Sequence, residues 1–138
     1  MKKLIQLSSL LALTLAMLSI GCGKNNPAAP EPTVEPTPTF SISSKPVILN
    51  DGNAGIQFFA QPDMDVILVR VEIKDPLGNS FTFNAGSATV VKGEVMALQD
   101  TNLAYFRVSG KWTFKFVGNK ATGSKASFDV TATLNVSA

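Results

Sequence analysis

SFDVTATLNVS (Ser127–Ser137) alternates without a break. Phe128, Val130, Ala132, Leu134 and Val136 fall on one parity. Ser127, Asp129, Thr131, Thr133, Asn135 and Ser137 fall on the other. A period of two puts one set on each face of an extended chain, as a half-exposed antiparallel strand requires. KWTFKF repeats the pattern, with Trp112, Phe114 and Phe116 opposed by Lys111, Thr113 and Lys115. The aromatic residues of these two strands are therefore expected in the core.

Working towards the N-terminus, DVILVRVEIKD predicts a strand. Ile67, Val69, Val71 and Ile73 are expected on one face, and Arg70, Glu72 and Lys74 on the other, after Val66 and Leu68. FTF (81–83) and GIQFFA (55–60) are further short strands, and Phe58 and Phe59 must point to opposite faces. SATVV, EVMALQ and LAYFRV are less regular candidates. DPLGN, NDGNAG, VKGE, SGK and GNKATGSK separate these pieces with turn chemistry: Pro fixes φ, Gly supplies positive φ, and Asp and Asn bond their own backbone. No stretch after residue 39 has the 3.6-residue period of an amphipathic helix. Seven to nine short strands in about 100 residues predict an all-β, two-sheet antiparallel Greek-key sandwich over residues 40–138.

VEIKDPLGNSFTF resembles the strand–turn–strand hairpin of bacterial immunoglobulin-like domains. SGKWTFKFVGNKATGSKASFDVTATLNV is similar to their last two strands. The resemblance implies an immunoglobulin-like sandwich. Trp112 stands where many members of that family carry the tyrosine whose hydroxyl makes a corner hydrogen bond. The chain's one cysteine cannot form the inter-sheet disulfide of antibody domains, so packing alone must hold the sheets together.

The first 39 residues have a different character. MKK is a short positive start, LIQLSSLLALTLAMLSI (Leu4–Ile20) is apolar and uncharged, and Gly21–Cys22 follows. That is the layout of a secretory signal spanning residues 1–21. LSIGC resembles the lipobox of bacterial lipoproteins, with Ser19 at the position where leucine is commonest and Leu18 one step earlier. The resemblance implies that Cys22 becomes the mature N-terminus and carries a thioether-linked diacylglycerol with further acylation such as palmitate. Two or more acyl chains give stable anchoring where one gives only marginal binding. In Gram-negative lipoproteins the residue after that cysteine sorts the protein, and Gly23 favours the outer membrane. Residues 22–39 then form a lipidated, Pro-rich linker with prolines at 27, 30, 32, 36 and 38. Largely polyproline II, its 17 residues after the cysteine could reach roughly 50 Å at about 3.1 Å each. It serves as a tether, the alternative being a Pro-rich ligand for a partner module.

Charge and composition narrow the function. Without residues 1–21 the chain has ten basic and ten acidic side chains, so the folded part offers no basic field for nucleic acid. It has no histidine, which removes the usual general base and the commonest metal ligand. With Cys22 assigned to lipid, His-based serine or cysteine triads are excluded. Asp63 and Asp65 in QPDMDV are a carboxylate pair at a strand start, and NDGN and PDMD are oxygen-rich loops without the spacing of a calcium loop. No catalytic set, metal site or cofactor is expected. Tyr105 shares a parity with Arg107, which suggests an exposed pair suited to a contact surface; the alternative is an ordinary surface pair, with Phe106 as the inward residue. The leading expectation is a non-catalytic, membrane-anchored lipoprotein that displays an immunoglobulin-like domain for protein–protein or adhesive contact. The alternatives are an assembly accessory of a periplasmic or outer-membrane complex, and a small carbohydrate- or ligand-binding module.

Overall fold

The structure, a computed structural model, describes residues 29–100 and 103–138. The expected signal segment, Cys22 and Gly23 lie outside the described residues. The chain divides into two units, Met1–Val34 and Glu35–Ala138. Residues 29–34 of the first are exposed and carry no strand or helix.

The second unit is built of strands β1 (Phe40–Ile48), β2 (Ala54–Pro62), β3 (Val66–Lys74), β4 (Ser80–Val90), β5 (Met96–Ala97), β6 (Tyr105–Phe106), β7 (Gly110–Lys120) and β8 (Ser127–Val136). One sheet has the order β1-β2-β5, with β6 pairing a different part of β2; the other has the order β4-β3-β7-β8. Every pairing is antiparallel. The chain changes sheet between β2 and β3, between β4 and β5, and between β6 and β7, which makes an immunoglobulin-like Greek-key sandwich.

The core is aromatic where the sheets face each other. Phe58 of β2 lies 4.7 Å from Trp112 and 4.9 Å from Phe114 of β7, ring centre to ring centre. Phe40 of β1 stacks on Phe116 at 3.9 Å. Such pairs add about 0.5–1.5 kcal/mol each beyond the area they bury. The alternation of β7 and β8 places its residues as expected, with Trp112, Phe114, Phe116, Phe128 and Val136 buried. Phe58 is buried and Phe59, facing the other way, only half so. The Trp112 indole is also fixed locally: its Nε1–H donates to the Val108 carbonyl at 2.9 Å, four residues upstream.

Three features depart from the sequence reading. β1 was not anticipated, because SKPVI carries Lys45 and Pro46 and alternates poorly. Proline is tolerated there because β1 is an edge strand and needs no donor on its outer side. β3 does not keep one parity. Val66 and Leu68 are buried together with Val71 and Ile73, whereas Ile67 is half-exposed and Val69 is turned outward.

The cause is a β-bulge. Leu68 pairs with Gly118 and Arg70 with Val117, so Val69 is one residue too many against β7. On the other side, Ala85–Ser87 of β4 lie between the partners of the same two residues, with Gly86 at φ 63° and Ser87 at φ 62°. Gly118 lets the backbones close at this point. A Cβ there would collide with the Ile67 carbonyl oxygen and sit 3.0 Å from Phe128 Cζ and 3.2 Å from Leu68 Cα.

The third departure is the start of the folded unit, five residues before Phe40. Pro38 is buried, and Thr39 gives its N–H and Oγ1–H to the two oxygens of Asp63, each at 2.8 Å. The Glu35 carboxylate accepts the Ser124 N–H at 3.0 Å, the Ser124 hydroxyl, and Lys120 Nζ at 3.3 Å. These bonds hold its pKa below the usual carboxylate range. The last residues of the expected linker are therefore part of the domain.

Candidate functional site

Sandwich sheets end in free edges, and here one end forms a groove. It opens between β4 and residues 99–100 and 103–106, and holds about 600 Å³. Phe81 and Phe83 line it from β4; Leu103, Tyr105 and Phe106 line it from the opposite side. Phe81 is 37 % exposed, Leu103 57 % and Phe106 62 %. Its polar groups are Thr82, Asn84, Gln99 and Asp100, and only the last carries charge.

Local pairing decides which side chains reach this groove. β6 pairs with β2, placing Tyr105 opposite Ile56 and Phe106 opposite Gly55. Directly opposed residues in an antiparallel pair share a face. Ile56 is buried, so Tyr105 turns inward and Phe106 outward. This corrects the exposure expected of Tyr105. Its ring packs 5.8 Å from Phe58 and 5.2 Å from Phe81, and its hydroxyl donates to the Leu98 carbonyl at 2.6 Å. Burial, with a contribution from the Asp100 charge, pushes its pKa up to about 12.

Leu98 and Gln99 are themselves fixed to β2. The Leu98 N–H donates to the Phe58 carbonyl at 2.9 Å, and Gln99 Oε1 accepts the Phe58 N–H at 2.9 Å. Gln57 Nε2 donates to the Leu103 carbonyl at 3.1 Å. Hydrogen bonds thus carry the groove's second wall, although β5 and β6 are only two residues each.

Arg107 is separated from Tyr105 in role. Its Nη2 donates to the main-chain oxygens of Ser137 at 2.9 Å and Ala138 at 3.1 Å, tying the chain after β8 to β6. The structure does not bring Tyr105 and Arg107 together as one exposed patch. Asp63 and Asp65 also part company: Asp63 holds Thr39, while Asp65 Oδ1 accepts the Lys92 N–H at 2.8 Å. Asp51 closes its own turn on Asn53. Among the described residues no group of three or more His, Cys, Asp or Glu side chains is placed to hold a metal.

Sequence reasoning missed Leu103 and Phe106 as exposed apolar residues. The usable signal lay elsewhere: Ser80–Val91 contains no charge and no proline, although it supplies an edge strand. Comparison with protein-family models, with curated proteins and with solved structures finds no match to this chain.

Proposed function

We infer that the protein is a non-catalytic, lipid-anchored envelope protein whose immunoglobulin-like domain makes protein–protein contact through the groove beside β4. The observation that carries this reading is the exposed apolar rim of Phe81, Leu103 and Phe106 next to an uncharged free strand edge. Apolar patches and open edges are the features by which sandwich domains engage other chains. The lipobox-like LSIGC supplies the anchor at Cys22, Gly23 favours the outer membrane in a Gram-negative host, and the Pro-rich segment gives the domain reach.

A photo-crosslinking amino acid at position 106, introduced into the full chain in growing cells, tests the contact. Protein adducts from position 106 and none from position 135 are expected; no adduct from 106 would overturn the reading. Incorporation of labelled fatty acid, lost in Cys22→Ser, tests the anchor. Protease shaving of whole cells separates surface display from a periplasmic accessory role, since only a displayed domain is cut.

The groove's size favours a second reading. About 600 Å³ is within the range of small-molecule sites, and Asn84 and Asp100 could orient a polar ligand over the aromatic wall. A glycan or small-ligand panel that raised the melting temperature, with the rise lost in Phe106→Ser, would support this reading over protein contact.

A further inference from the structure

The sandwich has several free edges, and they are not alike. The β1 edge carries Lys45 and Pro46, and the β8 edge carries Asp129. The β5 and β6 edges are two residues long. Short length, charge and proline all discourage edge-to-edge pairing. β4 is eleven residues long, and Ser80–Val91 has neither charge nor proline. Its one protective device is the bulge at Gly86–Ser87, which leaves Ser80–Asn84 regular and paired in sequence with Arg70–Lys74.

That regular stretch is self-complementary. Pairing Ser80–Asn84 with itself about a two-fold axis centred on Thr82 sets Thr82 opposite Thr82 of the second copy. It also sets Phe81 opposite Phe83 of the second copy, and Ser80 opposite Asn84. Aromatic pairs and Thr–Thr pairs are among the cross-strand combinations that stabilise antiparallel sheets. Lack of charge on β4 removes the like-charge repulsion that self-pairing otherwise brings. A two-fold axis normal to the sheet leaves both grooves on the same face, so the exposed Leu103 and Phe106 of each copy flank one seam.

We propose that β4 is a homotypic docking edge, and that two copies join through Ser80–Asn84 to make one continuous eight-stranded sheet, β8-β7-β3-β4 followed by β4-β3-β7-β8. This rests on the protein-contact reading above and names its partner as a second copy of this chain. Confinement of two anchored chains to one membrane raises their effective concentration and favours such pairing.

The test uses the full chain produced in cells with its N-terminal segment. Thr82→Cys at the two-fold centre gives a disulfide-linked dimer on mild oxidation, because opposed Cα atoms in an antiparallel pair lie about 4.5–5.5 Å apart. Asn135→Cys on β8 gives none. Sedimentation in detergent gives the mass of two chains for wild type, unchanged between low and high salt. Thr82→Lys gives the mass of one chain that still unfolds in one cooperative thermal transition, since Thr82 is exposed. A wild-type mass of one chain, or a Thr82→Cys adduct to a different protein, overturns the second copy as partner. If adducts from position 106 persist in that case, the protein-contact reading stands and only this inference fails.

Discussion

Replacing Gly118 by alanine sets two effects of opposite sign against each other. Gly118 lies in β7, paired to Leu68 on one side and Phe128 on the other, and its φ is outside the left-handed region. Alanine there restricts the unfolded chain, which by itself stabilises by about 0.4–1 kcal/mol. Against this, the new Cβ collides with the Ile67 carbonyl oxygen and meets Phe128 Cζ at 3.0 Å. Phe128 is buried, and the carbonyl belongs to a bulged strand held between two neighbours, so no flexible side-chain end can yield. Overpacking costs about 1–3 kcal/mol, and a backbone collision belongs at the upper end. The balance is a loss of about 2 kcal/mol, which for a domain near 100 residues lowers Tm by roughly 8–16 °C. Thermal unfolding by circular dichroism measures this. An unchanged or raised Tm would refute the claim that Gly118 permits the close approach behind the bulge.

Other substitutions and titrations follow from the same structure. The chain has one tyrosine, so absorbance at 295 nm isolates Tyr105; its phenolate should form near pH 12, and a midpoint near 10 would contradict its burial. Because this folded-state pKa is raised, the stability it contributes is complete below the unfolded value of about 10 and is lost as pH climbs towards 12, so alkaline unfolding should accompany the titration. Asp75 sits buried in the β3–β4 turn. Burial opposes its ionisation, but bonds from Asn79 Nδ2 at 2.7 Å, Asn79 N–H at 2.8 Å and Leu77 N–H at 2.9 Å outweigh that and lower its pKa. Asp75→Asn turns an amide nitrogen towards the Asn79 amide and should cost about 1–2 kcal/mol at pH 7. A depressed pKa stabilises above the unfolded value and ceases to do so as pH falls through the folded one. The gap between variant and wild type should therefore shrink below about pH 4; a gap constant with pH would contradict the assignment. Phe58→Ala empties the centre of the aromatic cluster and should cost about 3–5 kcal/mol in denaturant unfolding, whereas a loss below about 1 kcal/mol would mean the cluster is not the core.

What was legible in the sequence follows from where the information resides. β7 and β8 alternate because each buries one face along its whole length, so their strings reveal strand and core together. β3 does not, because its bulge depends on Gly118 and on Gly86–Ser87, residues far along the chain. Tyr105 was misplaced for a related reason. A two-residue strand has no period of its own, and its inward residue is chosen by Ile56 across the ladder. The groove joins residues 81–84 to residues 99–100 and 103–106, and no local pattern links those stretches. β1 escaped notice because an edge strand can afford proline and charge. The lack of charge in Ser80–Val91, by contrast, was present in the string, but its meaning depended on β4 being an edge.

The fastening of Glu35 and Thr39 gives the domain a defined mechanical entry point. Any tension reaching the fold along the chain from its N-terminal side arrives at Glu35, ahead of the β1–β2 ladder. It must first strip Glu35 from Ser124 and Lys120, then draw out the buried Pro38 and part Thr39 from Asp63. Only then does it load Phe40 and the stacked ring of Phe116 beneath it. Exposed hydrogen bonds and one buried proline thus stand in series before the stacked rings, as a shock absorber.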